Sequence, residues 1–227
     1  MDHNPWADIS VDAYNAHMGH PEVGQSAVLS EMTGEQLRAA AAMIDNPRVI
    51  AILGVTDGNG VEHAADIQFE KLIGVDVNDD FLHACRAKFP SQGGRYAFRN
   101  VDLVSDKARA VAALGEANIF ILNLVIEHIG LSVTTDLFSS LPQKKRFVSC
   151  VIQENRDGSV ASKSGHEHAF SEIVPLVREV SPVSLIEAME GIGYALVNTC
   201  DRTLANGKIF LRYDFCDRSL RSENAGD

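Results

Sequence analysis

Short apolar runs divide the middle of the chain. Residues 49–53 read Val-Ile-Ala-Ile-Leu and residues 118–122 read Asn-Ile-Phe-Ile-Leu. This is the continuous pattern of strands buried on both faces, not the alternation of a half-exposed strand. Residues 71–76, 96–101 and 146–152 supply three more strands. Between them, four segments read as helices: residues 60–69; a stretch that Asn78 can cap, with Phe81, Leu82 and Cys85 on one side up to Phe89; Ala-rich residues 106–116; and residues 132–140 ahead of Pro142. Strand and helix in alternation predict a doubly wound parallel sheet. Further on, a helix from Pro182 to near Gly191 precedes strands at 194–199 and 208–215, and Asn206-Gly207 sits just before the last of them. That dipeptide is a hairpin signal, so the sheet is expected to end antiparallel. The predicted class is α/β, with seven strands, mostly parallel.

Two stretches fall outside this alternation. Residues 1–46 read as an N-terminal appendage that is irregular as far as Pro21. It then offers a helix start at Thr33, which with Gln36 has capping-box spacing; Leu37, Ala40, Ala41 and Ile44 follow at helical intervals, and Asn46-Pro47 ends the run. Residues 154–181 are polar around Arg156-Asp-Gly-Ser, the composition of either a substrate loop or a solvated surface loop. The expected organisation is therefore an appendage at 1–46, a main domain at 47–216 containing that loop, and a tail at 217–227.

The strand-to-helix turn after residue 53 carries Gly54, Gly58 and Gly60, spaced GxxxGxG. Such glycines let the backbone turn sharply and let a ligand approach it, and a helix starting there would aim free N–H groups into the same crevice. Asp76 ends the second strand 22 positions beyond Gly54, where an acid can accept both ribose hydroxyls of an adenosine. Neither Gly-Lys-Ser/Thr nor GxGxxG is present. The pattern suits a ligand with an adenosine and no pyrophosphate.

Composition narrows the partners. Hydrophobic residues are 45% of the chain and charged residues 22%, so a full core is expected. Acidic residues outnumber Lys and Arg 31 to 20, giving a net charge of -11, which disfavours nucleic acid because phosphate contacts need clustered cations. The one compact basic cluster is Lys144-Lys145-Arg146. No apolar run reaches membrane-spanning length, and the start of the chain does not read as a secretory leader. The four cysteines, Cys85, Cys150, Cys200 and Cys216, are scattered and are expected to be reduced thiols in a cytoplasmic protein. His166 and His168 flank Glu167; two histidines without a third ligand in view predict no metal site.

Residues 52–89, with ILGVTDGNGVEH and KLIGVDVNDDFLHACRAKF, resemble class I S-adenosylmethionine-dependent methyltransferases. The glycine turn is similar to their first motif and Gly74-Val-Asp-Val-Asn78 to their second, although Thr56 and Asp57 stand where the family often has GxGxG. Asp102 sits where the family has its adenine-contacting acid, residues 118–129 (NIFILNLVIEHI) resemble the segment passing the methionine moiety, and the terminal hairpin resembles the family's antiparallel seventh strand. The resemblance spans residues 48–216, and residues 4–29 (NPWADISVDAYNAHMGHPEVGQSAVL) with 148–155 (VSCVIQEN) resemble a bacterial subgroup with no assigned substrate. It implies a Rossmann-like sheet with an N-terminal helical lid and S-adenosylmethionine as cofactor, released as S-adenosylhomocysteine. The cofactor residues it implies are Gly54, Thr56, Gly58, Gly60, Asp76, Val77, Asp102, Leu103, Asn123 and Leu124.

The activity implied is in-line methyl transfer to a small-molecule acceptor, in which positioning carries most of the catalysis. His128 is a candidate general base; its alternative is a histidine that packs on the cofactor or bonds a neighbouring loop. Tyr14, His17 and Met18 are expected in a lid over the site, and Glu127 and Gln153 near the acceptor. A dinucleotide-dependent oxidoreductase and a non-catalytic scaffold of the same fold are the rivals. Homodimerisation is left open.

Overall fold

The computed structural model describes residues 3–91, 93–142, 146–155 and 164–220. Lys144, Lys145, residues 156–163 of the expected loop and the tail from 221 lie outside them. The strands are β1 (Val49–Leu53), β2 (Lys71–Asp76), β3 (Tyr96–Asn100), β4 (Ile119–Asn123), β5 (Phe147–Glu154), β6 (Tyr194–Thr203) and β7 (Ile209–Asp217). They form one seven-stranded sheet in the order β3-β2-β1-β4-β5-β7-β6. β1 to β5 pair in parallel, and β7 enters antiparallel between β5 and β6, with Gln153 beside Phe210 and Phe147 beside Cys216. The doubly wound sheet with its closing hairpin is as the sequence predicts.

All five residues of β1 are buried, because both faces of the sheet are covered. Alternate residues Ala51, Leu53, Phe120 and Leu122 pack with Ala110, Leu137, Phe138 and Leu185. These come from α4 (Lys107–Leu114), α6 (Leu131–Ser140) and α7 (Pro182–Gly191). Ile50, Ile52, Ile119 and Ile121 point the other way, onto Leu37 and Ala40 of α2 (Gln25–Met43) and Leu82 and Cys85 of α3 (Asp79–Lys88). A third cluster joins Tyr14 and Met18 of α1 (Val11–Met18) to Met32, Phe81, Phe170, Ile173 and Phe210. It ties the N-terminal segment to the sheet. Among the described residues no helix is long and apolar enough to cross a membrane.

Three local expectations are corrected. The helix expected from Thr33 begins eight positions earlier, at Gln25, behind Gly24 in the left-handed region at a φ of 63°. Thr33 is no N-cap: its hydroxyl donates to the Leu29 carbonyl at 2.8 Å and accepts from Asn123 Nδ2 at 2.9 Å. Gln36 likewise turns inward, exchanging hydrogen bonds with the Asn123 amide at 2.8 and 3.0 Å. A spacing of three that reads as a capping box also puts two side chains on one helix face. Second, residues 60–69 form only a 3-10 turn, Val61–Asp66, not an α-helix. Third, the N–H groups expected to face the crevice from its start are used locally: Gly58 N, Val61 N and His63 N donate to Val55, Gly58 and Gly60 carbonyls at 3.0, 3.2 and 3.3 Å.

A polar network is buried where β7 crosses under α2. Asp214 accepts from Arg212 Nη2 at 2.6 Å and Nε at 2.8 Å, from Asn198 Nδ2 at 3.0 Å, and from the Ser149 hydroxyl. Arg212 and Asp214 are 4% and 0% exposed, and Glu35 of α2 reaches Arg212 Nη1 at 3.4 Å. Asp214→Ala leaves the guanidinium buried with only the partly exposed Glu35. It should lower stability by about 3 kcal/mol, read as a lower urea midpoint at unchanged slope.

Candidate functional site

The carboxyl ends of β1, β2, β4 and β5 open into a cavity of about 660 Å³. That is within the range of about 300–1,000 Å³ typical of small-molecule sites. Its floor is built by two strand ends with strained backbone. Thr56 and Leu124 both stand at positive φ, 48° and 57°, although neither is glycine. Such conformations persist where the surroundings over-determine them. Gly54 has a φ of 64°, and a Cβ there would meet Val125 Cγ2 at 2.6 Å, so only glycine lets the β1 and β4 ends come this close.

Asp76 ends β2 with its carboxylate held by the β1 turn. Oδ2 accepts from Thr56 N at 2.9 Å and Oδ1 from Asn78 N at 3.0 Å. Burial raises its pKa to about 6 against these hydrogen bonds. Val77, Asp102 and Leu103 line the same side of the cavity. Burial pulls Asp102 upward, but the N–H groups of Val104 and Ser105 and the Asn4 amide outweigh it, so its pKa falls below the ordinary value.

Thr56, Asn123 and Leu124 also line the cavity, whereas Gly58 and Gly60 do not. A Cβ on Gly58 would strike Phe89 at 2.8 Å, and one on Gly60 would strike Thr33 at 2.7 Å. Their smallness serves helix packing behind the turn. Asp57 faces away too, 4% exposed, accepting from Lys88 Nζ at 2.6 Å and Asn15 Nδ2 at 3.1 Å. Thus the departure from GxGxG at Thr56-Asp57 leaves the cavity open and ties α1 and α3 together.

Side chains from the first 20 residues form the roof. Asn78 Nδ2 donates to the carbonyls of Trp6 and Ile9 at 2.9 and 2.8 Å, strapping this segment over β2. Tyr14, His17 and Met18 line the cavity, together with Phe170, Ile173, Val174 and Val177, against which they pack. Burial raises the Tyr14 phenol above its ordinary pKa and lowers His17 below its own. His17 shares a hydrogen bond with the Ser164 hydroxyl at 2.6 Å and tilts on Phe170 at 4.7 Å. On the β5 side, Gln153 Oε1 accepts from Gln25 Nε2 at 2.8 Å, and Gln153 Nε2 donates to Asn155 at 2.6 Å. No cluster of three metal-binding side chains occurs among the described residues.

Glu127 and His128 sit side by side on α5 (Ile126–Ile129) and both line the cavity. The Trp6 indole N–H donates to His128 Nδ1 at 3.3 Å, with the rings edge to face at 4.9 Å. Burial lowers the His128 pKa to about 4. A neutral ring whose Nδ1 lone pair is occupied argues against the expected general base and for the alternative of a histidine hydrogen-bonded to a neighbouring segment. Trp6→Phe removes the donor and keeps an aromatic ring. The neutral form then loses its partner, so the His128 pKa should rise, seen by NMR titration of its ring C–H resonances.

Trp6 was not legible as a site residue. It is the sole tryptophan, in an irregular polar segment, and its partner lies 122 positions away. Phe170 and Gln25 were missed for the same reason. Their roles arise only when three distant segments meet.

No protein-family model and no curated protein matches this sequence. Solved structures do. The magnesium protoporphyrin IX methyltransferase of Synechocystis PCC 6803 with bound S-adenosylmethionine superposes at a TM-score of 0.65, with 11% identity over 93% of both chains. The geranyl diphosphate C-methyltransferase of Streptomyces coelicolor A3(2) gives 0.61 at 12% identity, over 87% of this chain and 83% of that one. The [4+2]-cyclase SpnF gives 0.59 at 9% identity over 81% and 80%. The chain therefore has the Rossmann-like fold of class I S-adenosylmethionine-dependent methyltransferases, a fold that also carries a cyclase.

Proposed function

We propose that the cavity binds S-adenosylmethionine and that the chain directs its methyl group to a small-molecule acceptor. The observation that carries this reading is the Asp76 carboxylate at the end of β2, held by the β1 turn and lining the cavity. Thr56 N and Asn78 N donate one to each of its oxygens, and a carboxylate, with about four lone-pair sites, can accept ribose hydroxyls as well. Val77, Asp102 and Leu103 would flank the adenine, and Gly54, Thr56, Asn123 and Leu124 the methionine moiety. Bound there, the cofactor supplies an electrophilic methyl on a good leaving group. The chain's residues orient the acceptor and keep water out. Trp6, Tyr14, Met18 and Phe170 give the apolar walls that this exclusion needs. The net charge of -11 favours a small acceptor over nucleic acid.

Isothermal titration of the protein with S-adenosylhomocysteine, and separately with NADH, tests this reading. Micromolar binding of the first and none of the second is expected. Binding of NADH alone would move the reading to a dinucleotide-dependent oxidoreductase, and silence from both to a scaffold. A cyclase on this fold means that cofactor binding must be followed by a methyl-transfer assay.

A further inference from the structure

Glu127 holds one of two buried side-chain polar atoms that lack a hydrogen bond among the described residues. It is 5% exposed. Its Oε1 accepts from Gln153 N at 2.8 Å, which fixes the carboxyl against β5, while Oε2 has no partner. A buried oxygen left so is costly unless a ligand completes it. The second such atom, Arg146 Nε, belongs to a guanidinium otherwise satisfied by the Phe138 and Leu141 carbonyls and Tyr194, at the amino end of β5. Only the Glu127 atom belongs to a residue lining the cavity.

The neighbouring His128 has the complementary deficiency. The Trp6 N–H takes up Nδ1, so in the neutral ring the proton is on Nε2, and that N–H is a donor. Two adjacent residues of the cavity wall therefore hold an acceptor, Glu127 Oε2, and a donor, His128 Nε2–H, that no other described residue answers. A hydroxyl satisfies both, since it donates to one group and accepts from the other. A carboxylate has no proton for Glu127 and is repelled by it. An ammonium has no lone pair for His128.

We propose that Glu127 and His128 select a hydroxyl as the methyl-accepting group, with Glu127 taking its proton. This rests on the cofactor reading above. In the step, a lone pair of the acceptor oxygen forms the new O–C bond. The C–S bond of the donor breaks with its pair left on sulfur, which neutralises the sulfonium. The O–H bond breaks, and its proton passes to Glu127 Oε2, which becomes a neutral carboxylic acid. Burial raises the Glu127 pKa to about 7, where a carboxyl works as a base near neutrality. The titratable groups around it do not compete. Cys150 on β5 is pushed above its ordinary value by burial and stays a thiol, and His128 stays neutral. Arg178, whose backbone N–H donates to the Glu127 carbonyl at 2.8 Å, has an exposed side chain that also lines the cavity, so the binding of a benzoate reads its pull against the repulsion by Glu127.

The test uses the full chain saturated with S-adenosylhomocysteine at about pH 8, above the raised carboxyl pKa. 19F NMR then reads the binding of 4-fluorophenol, 4-fluorobenzoate and 4-fluorobenzylamine. The phenol is expected to bind about tenfold or more tighter than the other two, the worth of one hydrogen bond to a charged group. Glu127→Gln keeps an oxygen for Gln153 N and replaces the orphan acceptor by an N–H donor. It should reverse the order of phenol and benzoate, which a merely structural residue would not do, while S-adenosylhomocysteine still binds. Preference for benzoate or benzylamine in the unaltered protein, an order unchanged in the variant, or no binding of any probe to the loaded protein overturns the proposal. Loss of S-adenosylhomocysteine binding by the unaltered protein would instead overturn the cofactor reading.

Discussion

Asp76→Ala is expected to weaken S-adenosylhomocysteine binding by at least about a hundredfold. Each hydrogen bond from a ribose hydroxyl to a carboxylate contributes about 1.5–3 kcal/mol, and the truncation removes two. The same carboxylate holds Thr56 N and Asn78 N, so the variant also loses stability. Asp76→Asn, which keeps one acceptor oxygen, should fall between the two affinities, and a thermal melt separates unfolding from lost affinity. The pH dependence gives a second, independent reading. In the free protein the Asp76 pKa is about 6, and hydroxyl donors favour the charged form. Binding should therefore be roughly tenfold weaker at about pH 5 than at about pH 8, since the proton must be displaced. Equal affinity in unaltered protein and Asp76→Ala would remove Asp76 from the site and with it the main support for the cofactor.

Glu127→Gln should stabilise the free protein at about pH 8 and leave it unchanged near pH 5. The sign follows from linkage. A carboxyl whose pKa rises from 4.5 to about 7 on folding holds its proton better in the native state. Its contribution is complete below the unfolded value and is lost as pH climbs through about 7. At about pH 8 the unaltered chain carries a buried charge costing about 3 kcal/mol, and glutamine carries none. Oε2 has no hydrogen bond to lose, and the amide that replaces it is unpaired like the protonated carboxyl, so the difference between the two pH values carries the prediction. For a chain of this size the gain is several degrees in Tm. Melting curves of both proteins at the two pH values decide it. A variant no more stable at the higher pH would mean that Glu127 is not held at this cost. A residue kept at a stability penalty in a cavity wall is the signature of a functional group.

What the sequence showed and what it hid divide along a physical line. β1 and β4 were legible because burial on both faces leaves an unbroken apolar run, and the β6–β7 hairpin because Asn206-Gly207 fits a tight turn. The position of Asp76 at the cavity was legible because a strand end two dozen residues after a glycine turn lies in the crevice of any such sheet. The start of α2 was hidden, because Thr33 and Gln36 answer Asn123 on β4 and not the backbone of their own helix. Gly58 and Gly60 looked like ligand glycines and are packing glycines. The donor and acceptor at the cavity wall were half visible. Glu127 and His128 stand out in the sequence, but the proton placement on His128 depends on Trp6, which only the folded chain brings near.

The course of the chain has a practical consequence for handling the protein. His3, Asn4 and Trp6 line the cavity, so trimming them away would remove part of the wall of the site. β7 runs antiparallel, placing Cys216 beside Phe147 at the start of β5. That pairing lies at the amino end of β5, away from the carboxyl ends of the strands that open into the cavity.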